Sequence, residues 1–161
     1  ITDFIRSHAE DYAAIVASRD WHDAGSDNGG HFAAEGVAPD FISTWPVHCV
    51  AESPGAHYHP ALTLPSDTIH VKKGQGMPSY SMFEGLTDDG STVEDILREV
   101  GVTAVDIVGI ATDHCVRATA VDARRAGFDV RVRSNLVAAV DPGSERSALD
   151  EMKKAGVSFS E

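Results

Sequence analysis

Apolar residues in this chain gather into short runs, and stretches with helical spacing lie between them. TDFIRSHAEDY reads as a helix with Phe4, Ile5 and His8 loosely on one side. Tyr12 to Asp20 (YAAIVASRD) reads as a buried strand, and Asp67 to Gly74 (DTIHVKKG) as the next. STVEDILREVG carries a helix, with Ser91 and Glu94 spaced as a capping box and Gly101 as the C-terminal stop. Ala104 to Ile110 (AVDIVGI) is almost continuously apolar, the pattern of a central parallel strand covered on both faces. A helix from about Cys115 to Ala126, stopped by Gly127, precedes the strand DVRVRS. A last helix from about Ser144 to Ala155 leads through Gly156 to the short strand VSFS.

Strands alternating with helices over short connections predict an α/β fold, a parallel sheet with helices on both faces. The length of 161 residues suits one domain, and no repeat, linker or low-complexity segment divides it. Trp21 to Pro65 breaks the alternation with a long stretch rich in Gly, Pro, His and Ser. Loops of that length inside compact domains are usually functional or disordered, and its aromatic and histidine content favours a site.

Composition narrows the partners. With 42% hydrophobic and 24% charged residues the chain is an ordinary globular protein. A formal charge of -12 argues against nucleic acid or an anionic membrane as the main partner. No apolar run approaches the roughly 18 residues of a membrane span. Nothing resembles a secretory leader, so the expected location is cytoplasmic. Two cysteines, Cys49 and Cys115, make no disulfide framework.

Candidate chemistry lies at the carboxyl ends of the strands, where open α/β sheets bind ligands. Cys115 follows the Ala104–Ile110 strand at the predicted start of a helix. Unpaired N–H groups and the helix dipole there should lower its pKa and could receive an oxyanion. Position alone leaves a reactive thiol and a packed structural cysteine as open alternatives. Cys49, inside a loop, reads as buried filler. Asp20 and His22, two apart at a strand end, share a face and form a possible chelating pair. His31, His48, His57 and His59 are further donors in the same loop system, and spacing does not say which of them complete a set. Of Lys72 and Lys73 only one can point into the cleft, where it would favour a thiolate.

Taken together, RDWH…GGHF, STWPVHCV, PGAHYHPAL, KKGQGMPSYSMFEG and VGIATDHCVRATAVDARRAGF resemble the nicotinamidase/pyrazinamidases of the isochorismatase-like cysteine hydrolases. The resemblance covers nearly the whole chain. It implies a three-layer α-β-α domain with a six-stranded parallel sheet, and hydrolysis of nicotinamide and pyrazinamide through a cysteine thioester in NAD salvage. By the same resemblance Cys115 matches the nucleophile and Lys73 the catalytic lysine. Asp20, His22, His31 and His48 match the ligands of one divalent metal ion (zinc, iron or manganese), while His57 and His59 fall outside that set. Trp45 and Tyr80 match substrate-lining positions. Ile110–Ala111 matches a cis peptide bond, and the N–H groups of Ala111 and Cys115 match an oxyanion hole.

One part of the family pattern has no counterpart here. The family's catalytic aspartate lies on a first strand in a V-D-x-Q-N-D-F type motif. Asp3, ahead of the first helix, is a poor stand-in. Either that strand precedes Ile1 or the chain is catalytically impaired, and the intact remainder favours the first. The alternatives in function are another amidohydrolase of the superfamily, or a non-catalytic metal-stabilised binding domain. The expected partners are small molecules, with a monomer or homo-oligomer as the assembly.

Overall fold

A computed structural model describes residues 1–161. Its strands are β1 (Val16–Asp20), β2 (Ile69–Lys73), β3 (Ala104–Ile110), β4 (Asp129–Ala138) and β5 (Ser158–Ser160). Its helices are α1 (Thr2–His8), α2 (Val93–Glu99), α3 (Arg117–Arg125) and α4 (Pro142–Lys154). Every strand pairing is parallel, β1 with β2 and β3 with β4 with β5, as the alternating pattern requires. No helix is long and apolar enough to cross a membrane.

The core is built from Val71 of β2, Val93 and Leu97 of α2, Ala120, Val121 and Ala123 of α3, Val130 and Val132 of β4, and Met152 of α4. Phe128 and Val157 close it at the turns that start β4 and β5. Helix α4 begins well: Asp141 accepts from the N–H of Ser144, and Pro142 takes a first-turn position where no N–H is needed.

Several boundaries differ from expectation for local reasons. The run read as a strand from Tyr12 pairs only from Val16, where its partner β2 begins at Ile69 just after the Pro65–Thr68 turn. The first helix stops at His8 and tightens into a 3-10 turn over Ala9–Asp11. The cap of α2 is one residue later than the predicted box: Thr92 accepts from the N–H of Asp95, and Ser91 turns back to Thr87. Helix α3 starts at Arg117 rather than Cys115, because Thr112–Val116 form a wider turn in which the N–H of Val116 reaches the carbonyl of Ala111.

A larger difference concerns β3. Its apolar run predicts burial on both faces, yet no residue of β3 is fully buried and Ile110 is 77% exposed. The sheet is in two parts. β1 and β3 each lack a ladder partner on one edge, and a groove of about 370 Å³ separates them, lined by Tyr12, Val16, Phe83, Leu97, Val105 and Ile107.

Polar contacts bridge that groove at one end. The Asp106 carboxylate, 8% exposed, takes paired bonds from Arg131 and Arg133 as well as the Tyr12 hydroxyl. Burial works to raise the Asp106 pKa, but the bonds from Arg131, Tyr12 and Arg133 outweigh it and hold it at about 2. A depressed carboxylate adds stability that is present above its ordinary value near 4 and lost as the pH falls toward 2. Asp106→Ala should therefore cost roughly 2–4 kcal/mol in urea unfolding at pH 7. The difference from wild type should shrink as the pH is lowered from 4 to 2; an unchanged gap at pH 2 would contradict this account.

Candidate active site

Strand alternation brings the chemistry to one place. Asp20 and Lys73 are register partners at the ends of β1 and β2, so their side chains share a face. Lys72, pointing the other way, pairs with the exposed Asp88 and lies over the Trp21 ring. Lys73 is 3% exposed and donates to Asp20 Oδ1 (2.5 Å), to the Ser79 carbonyl (3.1 Å) and to Cys115 Sγ (3.4 Å). Burial works against its charge, but the Cys115 sulfur and the Asp20 carboxylate more than offset this and hold its pKa above the ordinary value.

Cys115 stands in the wide turn after β3, next to a cis Ile110–Ala111 peptide bond. The lowered pKa expected at a helix start is not what forms. Burial pushes the thiol up, Asp20 adds to that, and Lys73 and the backbone of Ala111 only partly offset it. Burial thus works toward the protonated thiol, and the Lys73 ammonium toward the thiolate. Cys49 is half-buried, its thiol pushed up to about 11 by burial, with the Asp20 charge adding to the shift. Its sulfur lies within 4.8 Å of ligand atoms of Asp20 and His48.

The histidines sort by depth. His22, His31 and His48 bring nitrogen atoms within 4.8 Å of one another, while His57 and His59 stay at the exposed surface. His22 donates from Nδ1 to the carbonyl of Gly74 (2.8 Å), leaving Nε2 buried with no partner. His48 is oriented likewise by the carbonyl of Pro46 (2.8 Å), and the buried Nδ1 of His31 also has no partner. Burial lowers the pKa of His22 and brings that of His31 to about 4, with neighbouring histidines adding to both shifts. The partnerless buried nitrogens of His22 and His31, with His48 and the Asp20 carboxylate beside them, suit a divalent ion of the zinc, iron or manganese kind.

Ring contacts form one wall. Trp45 Nε1 donates to the Tyr80 hydroxyl (2.8 Å), which donates on to the carbonyl of Ile42 (3.3 Å). The ring of His114, the residue before Cys115, lies 4.8 Å from Trp45 and 5.6 Å from Tyr80.

Sequence reasoning missed His114, Asn28 and Asp113. Asn28 is fully buried and knots the loop: its Oδ1 accepts from Asp23 and Gly76, and its Nδ2 donates to the carbonyls of Asp23 and Ser26. The GSDNGG turn composition marks a tight loop at that point, but no local pattern tells which side chain lies inside.

All 161 residues match the Isochorismatase domain family. A nicotinamidase/pyrazinamidase of Mycobacterium tuberculosis is 43% identical over 98% of this chain and 81% of its own length. The chain belongs to the isochorismatase family, in its nicotinamidase/pyrazinamidase branch. Among solved isochorismatase-type structures, the pyrazinamidase of Pyrococcus horikoshii in complex with zinc matches with a TM-score of 0.81 at 39% identity, over 99% of this chain and 82% of that one. PnC1 from L. infantum in complex with nicotinate matches with a TM-score of 0.80 at 32% identity, over 99% and 78%.

Within this family member, Gly74 joins the two clusters. It has φ +83°, and a Cβ there would stand 2.6 Å from the His22 ring. Gly74→Ala should therefore displace His22 and lower bound metal per protein chain, measured by atomic absorption after zinc loading and dialysis. A full complement of retained metal would contradict this packing.

Proposed function

We propose that this protein hydrolyses nicotinamide, and the similarly shaped pyrazinamide, to the acid and ammonia in cytoplasmic NAD salvage. The observation that carries the reading is the buried Lys73 ammonium, bonded to the Cys115 sulfur on one side and Asp20 on the other, beside the histidine cluster. Asp20, His22, His31 and His48 would hold a divalent ion. When bound, the ion supplies a Lewis-acid seat for a lone pair of the substrate ring.

Trp45 and Tyr80, locked to each other, flank the flat ring of the substrate. The Cys115 thiol passes its proton to a carboxylate as the sulfur attacks the carboxamide carbon. The N–H groups of Ala111 and Cys115 receive the oxyanion, and Lys73 offsets the charge gathered at sulfur and carboxylate. The C–N bond then breaks, the nitrogen leaves as ammonia with the transferred proton, and water cleaves the thioester to free the acid.

The base is the part of this scheme that the family resemblance supplies. It puts the aspartate on an additional parallel strand. The groove between the unpaired edges of β1 and β3 is a suitable place for that strand, whose carboxyl end would then emerge near Cys115 and Lys73. Such an insertion would also cover the exposed edge of β3.

The test is ammonia release from nicotinamide by purified protein. Cys115→Ala should lower turnover by about 10³-fold or more, while Cys49→Ala should leave it within a few-fold. Near-normal turnover by Cys115→Ala would overturn the proposal. Metal retained after dialysis should accompany activity, which separates this reading from a metal-free amidohydrolase of the same family.

A further inference from the structure

Asp113 is buried, and its carboxylate is fully enclosed without a strong cationic partner. Its oxygens converge instead on the connection between β4 and α4. Oδ1 accepts from the N–H of Val140 (3.0 Å), and Oδ2 accepts from the N–H of Asp141 (3.1 Å) and the hydroxyl of Ser144 (2.6 Å). The closest side-chain nitrogen, His114 Nε2, is 3.8 Å away, and Arg117 bonds the Asp113 backbone carbonyl rather than its carboxylate. A charge taken out of water costs several kcal/mol unless it is fully hydrogen-bonded. Here three donors from a distant segment supply those bonds.

Those donors hold a particular object. Asp113 lies in the Thr112–Val116 turn, two residues before Cys115, a short turn whose backbone bonds are few: the Arg117 N–H reaches the carbonyls of Thr112 and His114. Its N–H groups at His114 and Val116 both fall back on the single carbonyl of Ala111. Capping by side chains is absent at its start. The Asp113 carboxylate therefore pins the turn from outside, at the first turn of α4, where Asp141 and Ser144 also cap the helix.

We propose that Asp113 is a positioning residue for the nucleophile: its clamp on Val140, Asp141 and Ser144 fixes the turn that aims the Cys115 sulfur and presents the N–H groups of Ala111 and Cys115. The proposal rests on the reading of Cys115 as the nucleophile. Asparagine is the informative substitution because it keeps the shape and loses one acceptor. Either orientation of its amide turns an NH2 group toward a donor, Val140 on one side or Asp141 and Ser144 on the other. The turn then loses its bond to Val140 or its hold on Asp141 and Ser144, while the histidine cluster keeps its own bonds and Lys73 keeps those to Asp20 and Ser79.

The experiment compares wild type, Asp113→Asn and Ser144→Ala by three measurements: alkylation of Cys115 and Cys49 by iodoacetamide, steady-state ammonia release, and nicotinate binding. In Asp113→Asn, Cys115 alkylation and kcat should both fall about tenfold or more, since displacements near 1 Å at a reacting atom cost on that scale. Cys49 alkylation and nicotinate affinity should stay within about threefold. Ser144→Ala, which removes one bond of the three, should show the same pattern to a smaller degree. A merely structural role would lower the thermal transition while leaving Cys115 alkylation per folded molecule unchanged, and that result overturns the proposal. If Asp113→Asn does not fold, Ser144→Ala decides alone: wild-type alkylation of its Cys115 overturns the proposal. Alkylation needs no substrate. Loss of Cys115 reactivity in a protein whose wild type releases no ammonia would sink the functional reading and leave the positioning role standing.

Discussion

The site is organised around one buried cation. Lys73 lies almost out of water at the end of β2, where an unpaired ammonium would be costly. Its three bonds define what must surround it: the carboxylate of Asp20 from β1, the carbonyl of Ser79 from the following loop, and the sulfur of Cys115 from the turn after β3. The β1–β2 register is the one that sets Asp20 opposite Lys73. A slip of one residue would put Lys72 in the interior and leave Asp20 facing solvent-side groups. The same ammonium faces the thiol and the metal-type cluster, so the two halves of the site answer to a single charge.

Much of this was legible in the sequence. Period-two alternation allowed only one of two adjacent lysines into the cleft, the family resemblance chose Lys73, and the strand ends located Asp20 and the approach to Cys115. The βαβ rhythm gave the parallel architecture, and the structure returns it in all pairings. What local pattern does not encode is contact across long separations. Nothing around Tyr12 announces Asp106, which accepts its hydroxyl from across the groove. Nothing around Asp113 announces Ser144. The thiol pKa failed for a related reason. A helix-start argument counts the dipole, whereas the dominant effect on Cys115 is burial, a property of the assembled fold.

The histidines show where sequence reading stops. Spacing identified a donor-rich loop, and the family resemblance chose among its members. The three that converge do so because the loop is tied down at several points unrelated to metal: Asn28 inside its first turn, the backbone exchange of His22 with Cys49 and Ala51, and the bridge between Phe32 and Trp45. Such a frame orders the imidazoles in advance, so little conformational entropy remains to be lost when an ion arrives.

Gly74 gives the arrangement a particular brittleness. The residue directly after the lysine surrenders its side-chain space to His22, and its carbonyl fixes the tautomer of that same ring. One peptide unit thus serves as the hinge pin of two sites, and neither can be redesigned without reference to the other. Moving His22 would drag on the strand end that aims Lys73. For anyone altering this scaffold, or any lineage drifting through it, the histidine cluster and the Lys73–Cys115 contact form one inheritance unit that changes together.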